Sequence, residues 1–273
     1  MTYCVAVRLN AGLVFLSDAR TNAGIDQVST FRKMNIVERP GDRVIVMMSA
    51  GNLAITQAVR QVLAENIEHE KGLLSAESMY DVAQRVGDAV RFVHQRDAKA
   101  LQQFGIDFNC SLIVGGQIGH ERCRIFEVYS AGNFIECADE RPYLQIGESK
   151  YGKPILDRVI RPETSLDDAA KCALISMDST LRSNLSVGLP LDMLVYETDT
   201  LEITHFSHID AGNTYFNSVH QMWGQKLKEV FSELPNPVWA ETSAEEARLV
   251  SLRVGNAQDT RPTHTIQTLA GQQ

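Results

Sequence analysis

Seven consecutive residues with no polar alternation, Arg43-Val44-Ile45-Val46-Met47-Met48-Ser49, restrict the fold more than any other part of the chain. Strand side chains point alternately to two faces, so a strand apolar at both sets of positions has to be covered on both sides. The run stops at Ala50-Gly51-Asn52. Beyond it Leu53, Val59, Val62, Leu63 and Ile67 recur at helical spacing to about Glu70, where Lys71-Gly72 ends the helix. A second helix is predicted from about Ser75 to Gln103, with Met79, Val82, Val86, Val90 and Val93 in one stripe. Two successive helices between groups of strands place a helical layer over a sheet.

The strands themselves come in groups. Tyr3 to Leu9 alternates, and Asn10-Ala11-Gly12 suits a tight hairpin turn into Leu13-Val14-Phe15-Leu16-Ser17. That strand runs into Asp18-Ala19-Arg20; a polar loop, Thr21 to Arg32, precedes Lys33 and the strand Met34 to Glu38. In the middle, Cys110 to Gly116, Arg122 to Tyr129, Phe134 to Cys137 and Tyr143 to Ile146 read as a β meander. Gly147-Glu148-Ser149 leads into a short helix. Capping-box signals in Thr164 to Asp168 start another, ending near Leu181. Met193 to Glu197 and Leu201 to Phe206 form a closing hairpin across Asp199. The class is α+β, and the element order fits two stacked antiparallel sheets with helices outside, an αββα four-layer sandwich over residues 1–212.

The remainder differs. Phe216 to Leu234 is predicted helical, Pro235-Asn236-Pro237 stops it, and Ser243 to Leu252 reads as one more short helix. Residues 213–254 thus form a helical extension that packs on the core or on neighbouring subunits, and 255–273 a flexible tail.

Composition narrows the function classes. A net charge of -8 without a Lys/Arg stripe argues against nucleic-acid binding. Five cysteines, an odd number with no Cys-x-x-Cys pair, read as buried thiols in a reducing compartment. The longest apolar runs fall short of a membrane span, and no signal-peptide pattern opens the chain, so a cytoplasmic protein is expected. His205 and His208 lie three apart without further ligands, so neither a metal site nor a cofactor is expected. No Gly-x-Ser-x-Gly elbow is present for a serine triad.

The chain start carries the candidate chemistry. Threonine is small enough for the preceding methionine to be removed, and Thr2 would then carry a free α-amine beside its own hydroxyl. With a pKa of about 7.7 to 8.0, such an amine supplies a general base to its own nucleophile. The hairpin returns Asp18 alongside the chain start. Taken singly, Thr2 also reads as an exposed strand end, and Asp18 with Lys33 as a plain salt bridge.

The spacing of Thr2, Asp18 and Lys33, with Leu16-Ser17-Asp18-Ala19-Arg20-Thr21, resembles the β subunits of the proteasome and of the heat-shock protease HslV, which are N-terminal nucleophile hydrolases. A start with no propeptide and a long C-terminal extension look most like the Anbu family of bacterial proteasome-like proteins. The resemblance covers about residues 2–210 and implies a threonine-type endopeptidase in a self-compartmentalising ring or open spiral of identical subunits, acting on peptides or unfolded chains. It assigns Thr2 as nucleophile, Asp18 and Lys33 as the pair that activates it, and Gly51 as the oxyanion amide. Gly51 also reads simply as the end of a strand. Ser186 matches the serine of the family's Asp-x-x-Ser element, whereas Ser183 stands where its aspartate is expected. Gly147-Glu148-Ser149 replaces the usual Gly-Ser-Gly, leaving Glu148 or Ser149 in a supporting place. These departures keep two alternatives open: a catalytically weak assembly or binding protein, and an amidohydrolase acting on small amides. An ATPase partner is not specified by the sequence.

Overall fold

The computed structural model describes residues 1–22, 28–241 and 264–266. Its elements are β1 (Tyr3–Leu9), β2 (Gly12–Asp18), β3 (Arg20–Asn22), β4 (Val28–Thr30), β5 (Met34–Arg39), β6 (Arg43–Gly51), α1 (Leu53–Glu65), α2 (Met79–Gln103), β7 (Cys110–Ile118), β8 (Arg124–Val128), β9 (Phe134–Glu136) and β10 (Tyr143–Gly147). They continue with α3 (Lys153–Val159), α4 (Leu166–Ser183), β11 (Leu191–Glu197), β12 (His205–Ile209), α5 (Thr214–Glu233), β13 (Trp239–Glu241) and β14 (His264–Ile266).

The chain divides into two compact units, Met1–Gln221 and Met222–Gln273. In the first, two five-stranded antiparallel sheets have the orders β10-β1-β2-β11-β12 and β5-β6-β7-β8-β9. Side-chain alternation explains the apolar run in β6. Ile45 and Met47 pack with Val59, Val82, Val86 and Val90 of α1 and α2, while Val44, Val46 and Met48 meet Cys4, Ala6, Phe15 and Leu194 of the other sheet. The outer face of that other sheet, Val5, Val7, Val14 and Leu16, is covered by Leu156 of α3 and by Cys172, Ala173 and Met177 of α4. This is the αββα sandwich, with three apolar interfaces between four layers.

Most boundaries follow local chemistry. Leu9 pairs with Gly12, leaving Asn10-Ala11 as the two-residue loop. Asn52 caps α1 by accepting the Ala54 N–H at 3.0 Å, Ser78 caps α2 through the Asp81 N–H, and Ser165 caps α4 through the Asp168 N–H. α1 ends at Glu65 rather than Glu70: Asn66 donates its side-chain amide to the Val62 carbonyl at 2.8 Å, and the polar Glu68 to Lys71 segment offers no stripe to bury. α2 correspondingly begins at Met79 and not at Ser75. The predicted polar loop after β2 contains the paired strands β3 and β4. The meander breaks after β9: β10 crosses to the other sheet and pairs with β1, Tyr3 opposite Gly147. The last hairpin starts its return strand at His205, because Asp199 and Leu201 take φ of 67° and 51° and spend those residues on the turn.

In the second unit, β13 and β14 pair antiparallel, Trp239 opposite Ile266 and Glu241 opposite His264. The predicted helix over Ser243 to Leu252 lies outside the described residues, as does the tail from Gly255 apart from β14.

All five cysteines are free and buried. Burial pushes the thiols of Cys110 and Cys137 up to about 11 and that of Cys172 to about 12, and it raises those of Cys4 and Cys123 as well. The folded chain therefore holds these protons to higher pH than the unfolded chain, whose thiols titrate near about 8.5. Folded binds more protons over that interval, so stability is full below about pH 8.5 and falls as pH rises toward 11. Urea midpoints measured from pH 7 to 11 test this, a flat profile contradicting it. Iodoacetamide at pH 8 should leave the native thiols unmodified and alkylate all five after unfolding.

Candidate active site

β1 begins one residue after Thr2, and the β1–β2 hairpin register decides what surrounds it. The Tyr3 N–H donates to Asp18 Oδ1 at 2.9 Å, so the last residue of β2 is bonded to the first amide of β1. On its other side Thr2 is held by β10: its carbonyl accepts the Glu148 N–H at 2.7 Å. Gly147 is needed there. At φ +82°, a Cβ would stand 1.9 Å from the Thr2 carbonyl oxygen.

Lys33 arrives from the turn before β5. Its Nζ donates to Asp18 Oδ2 and to the Arg20 carbonyl, both at 2.6 Å, with its side chain 6% exposed and that of Asp18 wholly buried. Burial pushes the Asp18 carboxyl above its ordinary range; the Lys33 ammonium and the Tyr3 and Gly188 N–H groups pull it back. The Lys33 carbonyl accepts the Ser49 N–H at 3.3 Å, tying this turn to the end of β6.

A cavity of about 150 Å³ opens at this point, lined by Met1, Thr2, Arg20, Phe31, Lys33, Ser49, Ala50, Gly51, Leu53 and Thr56. Gly51 closes β6 at φ +110°, and a Cβ there would meet the Asn109 carbonyl oxygen at 2.5 Å. Immediately after it α1 begins, so the positive end of a helix dipole lies at the cavity wall.

The supporting residues form a second group. Glu148, buried, accepts the Asn184 amide on Oε2 at 2.8 Å and sits 3.2 Å from Lys150 Nζ through Oε1. Asn184 in turn accepts the Ser186 N–H at 2.9 Å. One network thus runs from the Thr2 carbonyl through Glu148 to the turn carrying Ser186. Ser183 is exposed as the last residue of α4, and Ser149 contributes backbone bonds, its N–H to Gly147 and its carbonyl to Gln145. Sequence reasoning missed Asn184, and also Arg20, Phe31, Leu53 and Thr56 as cavity lining. Arg20 lay inside the recognised phrase, and Asn184 follows the position where an aspartate was sought.

Residues 2–194 match the model of the proteasome subunit family. Among solved structures, the chain is similar to Anbu, the ancestral β-subunit, from Yersinia bercovieri, at 49% identity over 86% of this chain and 98% of that one, with a TM-score of 0.81. It is similar to the helical assembly of the Anbu complex from Pseudomonas aeruginosa at 45% identity, again over 86% and 98%, with a TM-score of 0.83. A Gly-1 mutant of Anbu from Hyphomicrobium sp. strain MC1 matches at 47% identity over 86% and 99%, with a TM-score of 0.81. No curated protein matches.

Replacing one member of the buried pair leaves the other's charge uncompensated. Lys33→Met should destabilise by about 3–5 kcal/mol at pH 8 in urea unfolding, and Asp18→Asn added to it should restore part of the loss. Because burial raises the Asp18 carboxyl, protonation relieves the single variant, so its deficit should shrink at pH 5.

Proposed function

The chain belongs to the proteasome subunit family, in its Anbu group, and from that membership we propose that it is a threonine-type peptidase whose nucleophile is Thr2 after removal of Met1. The supporting observation is convergence: Thr2, Lys33 and Gly51 share one cavity, and Lys33 is fixed there by a buried carboxylate.

In this reading the Thr2 hydroxyl attacks a peptide carbonyl while its own α-amine takes the proton. Lys33 favours the developing alkoxide, and Asp18 holds the ammonium in place. Negative charge on the tetrahedral oxygen falls to the Gly51 amide at the start of α1. The amine half of the substrate leaves with a proton from the Thr2 amine, and water then hydrolyses the ester. Met1 blocks this chemistry twice while present, since it acylates the base and occupies the cavity wall. Glu148 and Ser186, joined through Asn184, order the backbone on the far side of Thr2.

No helix among the described residues is long and apolar enough to cross a membrane. With the helical Pseudomonas assembly as guide, we infer a homo-oligomeric ring or open spiral in the cytoplasm, with peptides or unfolded chains as substrates. A non-catalytic binding subunit is the second reading, favoured by Glu148 standing where the family's serine is expected.

Intact mass and a peptide epoxyketone, which reacts with hydroxyl and amine together, separate these. The peptidase should lack Met1 and gain one inhibitor mass on Thr2, and Thr2→Ala should gain none. Retained Met1 with no adduct supports the binding subunit.

A further inference from the structure

Another buried carboxylate lies beside the candidate site. Asp192 of β11 pairs in register with Ser17, the residue before Asp18, on one side and with His208 of β12 on the other. Its side chain is 1% exposed. Oδ1 is 2.8 Å from His208 Nδ1, while Oδ2 is buried without a hydrogen-bond partner among the described residues. A carboxylate this deep costs several kcal/mol to desolvate, so what faces its second oxygen matters.

The cation facing that oxygen is Arg32, whose Nε lies 3.8 Å from Oδ2 and whose guanidinium lies over the Phe206 ring at 5.8 Å. Arg32 is the middle residue of Phe31-Arg32-Lys33. Phe31 and Lys33 turn into the cavity, and Arg32 turns out onto β11 and β12. The tripeptide's backbone is tethered by the Phe31 N–H to the Ala19 carbonyl at 2.8 Å and by the Lys33 carbonyl, which accepts the Ser49 N–H. Lys33 is also held by its own Nζ bonds to Asp18 and the Arg20 carbonyl, and Phe31 by the Arg60 guanidinium over its ring at 5.1 Å; Arg32 is the one member of the three whose side chain reaches β11 and β12.

We propose that Asp192 is a positioning residue for Lys33: through Arg32 it locks the turn that presents the ammonium to the cavity, with Phe206 as the platform and His208 holding the carboxylate's other oxygen. The catalytic consequence rests on the peptidase reading above; the positional one does not. Arg32 is 60% exposed at its side chain, so removing its charge tests the grip without opening the core.

The deciding measurement is acetylation of lysines by an N-hydroxysuccinimide ester, followed peptide by peptide by mass spectrometry on the full-length protein. In the wild type Lys33 should be protected. Arg32→Gln and Asp192→Asn should each raise its modification rate several-fold, with exposed Lys153 and Lys171 unchanged, and Arg32→Lys should restore protection. In parallel, the maximal rate of epoxyketone adduct formation on Thr2 should fall roughly ten- to a hundredfold in Arg32→Gln, with the inhibitor's KI unchanged, as for a small displacement of a catalytic group. If Asp192→Asn does not fold, Arg32→Gln alone decides. Lys33 still protected in Arg32→Gln overturns the proposal, as does its exposure in His208→Gln but not in Arg32→Gln. A wild type that forms no adduct counts against the peptidase reading only, and the Lys33 acetylation pattern still decides the positioning role.

Discussion

The ion pair between Asp18 and Lys33 is the constraint on which the rest of this site depends. Two opposite charges taken fully out of water are tolerated only when geometry and additional hydrogen bonds repay the desolvation. Here both conditions are met by backbone: Asp18 accepts the Tyr3 N–H, and Lys33 also donates to the Arg20 carbonyl. The same Tyr3 amide belongs to the first residue of β1, so one Asp18 oxygen holds the chain start while the other holds Lys33.

The layered architecture explains why the site lies where it does. Three apolar interfaces consume nearly every side chain of the central strands, including Phe15 and Tyr196 between the sheets. The polar groups of the candidate site are left to the strand ends, where β1 starts and β2 and β6 stop. α1 starts at that edge with an Asn52 cap, so its unpaired N–H groups add positive potential to a cavity already holding Lys33. Asp192 and Arg32 extend this logic one strand outward, setting a further buried charge behind the turn that delivers the lysine.

On the far side of Thr2 the chain uses its own solution. A glycine with no room for a side chain lets β10 close on the Thr2 carbonyl, and the following Glu148 links that contact to Asn184 and the Ser186 turn. The Glu148 carboxylate accepts the Asn184 amide on one oxygen and faces Lys150 with the other. It orders two segments, the exits of β10 and α4, that are distant in sequence.

The layers, the hairpin that brings Asp18 back, the capping signal around Ser165, and Thr2, Asp18 and Lys33 as a candidate set were legible in the sequence, because alternation, turn chemistry and a recognisable spacing are local signals. It misplaced the start of α2 and the end of α1, and it read β10 as part of a meander. That β10 joins β1, that Glu148 reaches Asn184 and that Asp192 faces Arg32 emerges from the three-dimensional fold alone. Those partners lie tens to more than a hundred residues apart, and each contact is fixed by strand order and side-chain direction, which no local pattern of apolar and polar residues encodes.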